Sequence, residues 1–238
     1  MIRVTHLSKS FNGQRVLDDV SLEVKEAEMF VILGESGTGK SVFLKHLIGL
    51  LKPDQGQVNV GGEDITHLSE TELLGVRKKI GYLFQEAALY DFMTVFENVA
   101  FPLREHTDYD ADRIQRKVQE ALKMVDLEDV DHKYPSELSG GMRKRVGLAR
   151  AIILDSKILF CDEPTSGLDP IRSRDISNLI RHVSREMKST TVMTSHDIPN
   201  SFRIADRLAL MHQGRIIAVG TGGELKASQD PFVKQFIS

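Results

Sequence analysis

At 238 residues, with 41% hydrophobic and 27% charged side chains, the chain is long enough to bury a sizeable core and has the composition of an ordinary globular protein. No run of about 18 apolar residues could span a bilayer, and a net charge of −3 gives no basic face, so nucleic acid is not an expected partner. The opening Met1-Ile2-Arg3-Val4-Thr5-His6 lacks the basic segment, apolar run and cleavage site of a secretory signal, so residence in the cytoplasm is expected.

In chain order, Val20 to Val24 alternates apolar and polar residues, as a half-buried antiparallel strand does. Met29 to Leu33 is a continuous apolar run, the pattern of a buried parallel strand, and Ser41 to Leu51 reads as a helix that stops before Pro53. Gln57 to Val60 alternates again, bounded by Gly56 and by Gly61-Gly62. From Asp110 to Val125, Ile114, Val118, Ala121, Leu122 and Val125 recur at intervals of three and four, the stripe of an amphipathic helix. A further helical pattern runs from Leu138 to about Ile153. Lys157 to Cys161 and Thr190 to Met193 are again buried-strand patterns, separated by a helical segment from Pro170 to Met187. Cys161, the single cysteine, lies in such a run and reads as a small buried hydrophobe. Arg207 to Met211 and Arg215 to Val219 flank His212-Gln213-Gly214 as a hairpin, and Phe232, Val233 and Phe236 mark a short terminal helix. This alternation predicts an α/β fold with a small antiparallel layer. The body is expected over residues 1–85 and 154–238, with residues 86–153 as an inserted helical subdomain.

The chemistry concentrates in Gly34-Glu35-Ser36-Gly37-Thr38-Gly39-Lys40-Ser41, which fits G-x-x-x-x-G-K-[ST] between a strand pattern and a helix pattern. The glycines let backbone N–H groups turn toward an anion, and the helix N-terminus adds partial positive charge. Lys40 would neutralise β- and γ-phosphate charge, and the Ser41 hydroxyl would ligate magnesium. Asp162-Glu163 follows the second buried strand at an end where ligands gather. Asp162 suits the magnesium shell and Glu163 a general base, although such a pair also serves as a helix cap or solvated turn. His196 follows the third strand as a γ-phosphate sensor or a loop cap. Gln85, closing Gly81-Tyr82-Leu83-Phe84-Gln85, is placed to reach magnesium or the attacking water. Ser139 with Gly140 and Gly141 reads as a helix cap or as a phosphate contact.

Together, the phosphate loop, Gln85, Leu138-Ser139-Gly140-Gly141-Met142, Phe160-Cys161-Asp162-Glu163, Ser166-Gly167-Leu168-Asp169 and His196 resemble the ordered motif set of ABC transporter nucleotide-binding domains, over essentially the whole chain. The resemblance implies an ABC-type P-loop NTPase: a mixed β-sheet core, an N-terminal antiparallel β layer and an inserted helical subdomain. It also implies a head-to-tail homodimer that sandwiches two ATP molecules with magnesium. In it, Ser139 and Gly141, with Gly140 between them, meet the γ-phosphate from the other subunit, and Ser166 to Asp169 couple the two sites. Phe11 falls where the family stacks a ring on adenine, though it could equally be packing. Met142 stands where the family signature has Gln.

More narrowly, Gly140 to Arg150, Asp91 to Leu103 and Asp230 to Phe236 resemble the Mla-type, mce-associated phospholipid-trafficking ATPases. That likeness implies a lipid cargo and a multi-spanning permease whose cytoplasmic helix docks near Gln85 to Phe92. It further implies an mce-type lipid-binding subunit, a small STAS-type protein in some relatives, and a place on the inner face of the cell membrane. Cargo of another kind, a polar solute or a lipoprotein, stays open. A soluble ABC ATPase acting on nucleic acid is opposed by the charge, and a monomeric P-loop kinase or GTPase would leave the Leu138–Met142 motif unexplained.

Overall fold

A computed structural model describes residues 1–237. The chain opens with β1 (Ile2–Phe11), β2 (Gln14–Val24), β3 (Met29–Leu33), α1 (Lys40–Leu47), β4 (Gln55–Val60), β5 (Glu63–Asp64) and α2 (Glu70–Arg77). It continues with β6 (Ile80–Leu83), α3 (Val95–His106), α4 (Ala111–Met124), α5 (Gly140–Ile152), β7 (Ile158–Cys161) and α6 (Pro170–Glu186). Last come β8 (Thr190–Ser195), α7 (Ile198–Ile204), β9 (Arg207–His212), β10 (Arg215–Gly220), α8 (Gly222–Ala227) and α9 (Pro231–Ile237). The fold is mixed α/β, as the patterning predicts. The chain divides into two compact units, one of residues 1–77 with 190–237 and the other Lys78–Ser189.

The first unit carries an antiparallel sheet in the order β2-β1-β4-β5. Its alternation is visible in β2, where Val20, Leu22 and Val24 are buried between exposed Ser21 and Glu23. In β1 the alternation slips: Ile2 and Val4 are buried, then Leu7, with His6 in left-handed backbone and a register shift against β2 between Val4 and Leu7. Such a bulge moves the following side chains to the opposite face, which hides the strand from a period-two reading.

The same unit holds β3 with β8 and β9 as parallel neighbours, and β10 antiparallel to β9. Every residue of β3 is buried, which is why Met29-Phe30-Val31-Ile32-Leu33 is uniformly apolar. Side chains such as Phe30 and Phe43, fully removed from water, contribute about 1.5–3 kcal/mol each.

In the second unit β6 and β7 are parallel neighbours, and α3, α4 and α5 pack on one another. Each helix has a readable start. Thr94 and Glu97 form a capping box on α3, Asp110 caps α4 through the Arg113 amide, and Asp169 precedes Pro170 at the first turn of α6. The buried face of α4 consists of Ile114, Val118, Ala121 and Leu122, the stripe read from the sequence.

Candidate functional site

Within the first unit, Leu33 of β3 lies level with Ser195 of β8 and Leu210 of β9. Gly34 and His196 therefore leave the carboxyl edge of two adjacent parallel strands, and the Gly34 amide donates to the Ser195 carbonyl at 3.2 Å. Residues 34–39 then loop back to α1. The Thr38 hydroxyl donates to the Glu35 carbonyl at 2.9 Å, closing the loop on itself. Gly37 and Gly39 take left-handed backbone at φ +82° and +101°, which a residue with a Cβ adopts only under strain.

Lys40 is 5% exposed, and its Nζ donates to the Gly34 carbonyl at 2.7 Å and the Glu35 carbonyl at 2.8 Å. The ammonium is thus held against the inside of the loop. Gly39 is the N-cap of helix α1 and offers no side-chain cap, and the first turn holds no acidic residue. No carboxylate of that turn competes with an anion for the positive end of the helix. Loop, ammonium and helix N-terminus together fit a polyphosphate, and the Ser41 hydroxyl in that first turn is a hard oxygen donor of the kind that could hold magnesium.

Around this edge a cavity of about 380 Å³ is lined by Gly34, Glu35, His196, His212, Phe232 and Phe236, among others. The His212 and Phe232 rings lie 4.6 Å apart between centroids. Asp197, beside His196, caps α7 by accepting from the Asn200 amide at 3.1 Å. Phe11 ends β1, is 40% exposed and has the Lys9 ammonium 5.5 Å from its ring centroid.

Within the second unit, Leu83 of β6 lies level with Cys161 of β7, so Gln85 and the acidic pair leave one shared edge. Asp162 and Glu163 are only 6% and 8% exposed. The Asp162 amide donates to the Leu83 carbonyl at 2.9 Å, and the Tyr82 hydroxyl reaches the Asp162 carboxylate at 3.4 Å. Burial, reinforced by the Asp162 charge, pushes the Tyr82 hydroxyl above its ordinary value and keeps it a donor. The Cys161 thiol is likewise pushed up by burial, consistent with an inert core position.

Glu163 takes left-handed backbone at φ +43°, and its carbonyl accepts from the Ser166 amide at 3.0 Å, turning the chain sharply after β7. The Gln85 side-chain amide donates to the Ser166 hydroxyl at 3.3 Å, joining two of the sequence-picked residues directly. Asp169 caps α6, accepting from the Ile171 and Arg172 amides at 3.1 Å each; hydrogen bonding from Arg172 leads in holding its carboxyl below the usual range. Ser139 caps α5 by accepting from the Met142 amide at 3.3 Å. Gly140 and Gly141 form the first turn of that helix, and a side chain added at Gly141 would meet nothing within 4 Å. Tyr82, which carries no motif in the sequence, is the added member of this set. It lies level with Phe160, two residues before Asp162 on the neighbouring strand, a proximity that only the sheet pairing creates.

A glycine loop that closes over a lysine between a buried parallel strand and a helix defines a P-loop nucleoside triphosphatase. The chain belongs to the ABC transporter family, whose description matches residues 17–166. It is accordingly an ATP-binding subunit that hydrolyses ATP in support of transport. It is 43% identical over its full length to the protein of Mycobacterium leprae named "Probable ribonucleotide transport ATP-binding protein mkl", spanning 68% of that protein. The same comparison with the Mycobacterium tuberculosis protein of that name spans 66% of it. The chain is 40% identical to the intermembrane phospholipid transport system ATP-binding protein MlaF of Haemophilus influenzae, covering all of this chain and 90% of that one. Among solved structures it is similar to the ATP-binding cassette MJ0796, described as dimeric and bound to ADP and Pi, at a TM-score of 0.85 and 30% identity over 93% of this chain and 98% of that one. Among the described residues no helix is long and apolar enough to cross a membrane.

Proposed function

We propose that this cassette works as a homodimer on the inner face of a bacterial cell membrane, attached through a multi-spanning permease, and that its cargo is phospholipid moved across or between envelope membranes. The observation that carries the cargo reading is the 40% identity to the intermembrane phospholipid transport ATPase across the whole of this chain and nine tenths of that one. The mycobacterial likeness is slightly higher in identity but spans only about two thirds of those proteins. A lipid-binding subunit of mce type and, in some assemblies, a STAS-type small subunit are the partners this cargo calls for.

In this reading the loop amides of Gly34 to Gly39 and the Lys40 ammonium bind the β- and γ-phosphates, and Phe11 covers the adenine. Ser41, Asp162 and Gln85 hold magnesium, which when bound offsets the negative charge that develops on the phosphates. Glu163 accepts a proton from the attacking water, with His196 and Gln85 orienting it. Ser139, Gly140 and Gly141 present a hydroxyl and backbone amides to the γ-phosphate held by the other copy, and Ser166 and Asp169 link the paired sites. Residues 86–153 act as the signature subdomain and residues 1–85 with 154–238 as the nucleotide-binding body.

Purifying the chain with its membrane partner and identifying the bound lipid tests the cargo. Phospholipid in the partner, with ATP-dependent transfer between labelled and unlabelled vesicles, is expected. A partner that binds a water-soluble solute and leaves vesicle lipid in place would refute the phospholipid reading while leaving the ATPase intact.

A further inference from the structure

Residues 85–88 are held from outside by one face of α5. Lys144, 5% exposed, donates through Nζ to the Gln85 backbone carbonyl. Two helical steps further on the same face, Arg150 donates to the Ala87 carbonyl at 2.6 Å and the Ala88 carbonyl at 2.8 Å. Between them, Gly147 lets the loop come close: a Cβ there would sit 3.0 Å from that of Ala87. Positions 144, 147 and 150 are three apart, so they form one row along the helix.

The loop needs this support. Ala87 and Ala88 both take left-handed backbone, at φ +61° and +47°, a conformation costing roughly 1–2 kcal/mol for each non-glycine residue. The turn is closed locally by a bond from the Ala87 amide to the Phe84 carbonyl at 2.9 Å. A buried ammonium whose acceptor lies on this loop is an expensive group to keep unless it has a task. Burial holds the Lys144 ammonium below the ordinary lysine value, with the nearby Glu86 charge acting in the opposite sense.

We propose that Lys144, seconded by Arg150, is the positioning residue for Gln85: from the helix that Ser139 begins, it fixes the strained loop that presents the Gln85 side chain toward Ser166. This rests on the reading of Gln85 as a member of the hydrolytic site and adds how that residue is held. It also makes α5 the element through which an event at Ser139 reaches Gln85.

Hydrogen–deuterium exchange of amides 86–89 in the purified full chain reads the strap directly. Lys144→Met keeps an apolar stem and removes the donor; exchange of these amides should speed up by about tenfold, as for one lost hydrogen bond to a charged group. ATP turnover should fall several-fold with KM for ATP within about twofold, and Lys144→Arg should restore both slow exchange and turnover. Unchanged exchange in Lys144→Met overturns the proposal, as does an acceleration spread equally over α4, which would be general loosening. Should Lys144→Met fail to fold, Arg150→Lys reads the same amides, with local acceleration expected and its absence equally damaging. Gln85→Ala is measured alongside: if its turnover is intact, the hydrolytic reading of Gln85 fails while the exchange result still decides the strap. A Lys144→Met/Gln85→Ala double variant no slower than Gln85→Ala supports action through Gln85, and multiplied losses contradict it.

Discussion

Alanine at Gly39 and alanine at Gly37 impose the same backbone demand in different surroundings, and their comparison isolates what the phosphate loop packs against. Both glycines are left-handed, so each alanine is strained by about 1–3 kcal/mol. At Gly37 the new methyl meets nothing within 4 Å, whereas at Gly39 it would lie 2.9 Å from the Val16 carbonyl oxygen and 2.9 Å from a Leu17 methyl. A carbonyl in β2 cannot rotate away as a side-chain tip could, so an overpacking cost of about 1–3 kcal/mol falls on Gly39→Ala alone. For a chain of this length each kcal/mol lowers Tm by about 2–4 °C, so Gly39→Ala should melt about 2–12 °C below Gly37→Ala. Thermal unfolding of the two purified apo variants, followed by circular dichroism, measures the gap. Equal melting temperatures would refute the claim that the start of α1 is wedged against residues 16 and 17.

For Glu163→Gln, ATP binding is retained and phosphate release falls by about 10²–10⁴ if the carboxylate is the general base; undiminished turnover in the purified protein would exclude that role. Ser139→Ala removes the α5 cap and should cost about 1 kcal/mol of stability, while Ser139→Asp keeps a capping oxygen and places a negative charge where the second copy's γ-phosphate is proposed. The aspartate variant should therefore melt like the wild type yet form no ATP-dependent dimer on size-exclusion chromatography, and a normal dimer would contradict the contact. His46 is buried, with its Nδ1 2.7 Å from the Val42 carbonyl, and burial holds its pKa below the ordinary 6.5. The folded state thus resists protonation, so this contribution to stability is complete above the unfolded value and is lost as pH falls below it. Urea midpoints at about pH 7.5 and about pH 5.5 should show the deficit of His46→Gln relative to the wild type shrinking at the lower pH, and a constant deficit would be inconsistent with a buried neutral imidazole.

The parts of the fold legible in the sequence are those whose pattern is set locally. Met29 to Leu33 is predicted to the residue because a strand covered on both faces must be apolar throughout. The α4 stripe and the β9–β10 hairpin are equally plain, whereas the helix expected over Ser41 to Leu51 ends at Leu47 and gives way to a turn at Gly49. β1 is illegible because its bulge breaks the alternation at His6. α3 is disguised by Pro102 inside it, although Thr94 and Glu97 announce its start. At the site, the loop and the Asp162-Glu163 pair stand out because contiguous residues carry the chemistry. Lys144, Arg150 and Tyr82 do not, because each acts on backbone or carboxylate groups that only the folded chain brings near. No local spacing encodes those meetings.

Ser139 lends its oxygen lone pair to the Met142 amide, and that choice leaves the hydroxyl proton uncommitted. A hydroxyl can accept and donate at once, so in the proposed dimer the signature can grasp a phosphate oxygen without surrendering the bond that starts its helix. Met142 enters only through its main chain, which is why methionine in place of glutamine leaves the cap intact. In that proposed dimer the grip on the second nucleotide would be a reversible latch: when the two copies part, nothing in the helix would have to be rebuilt before they meet again.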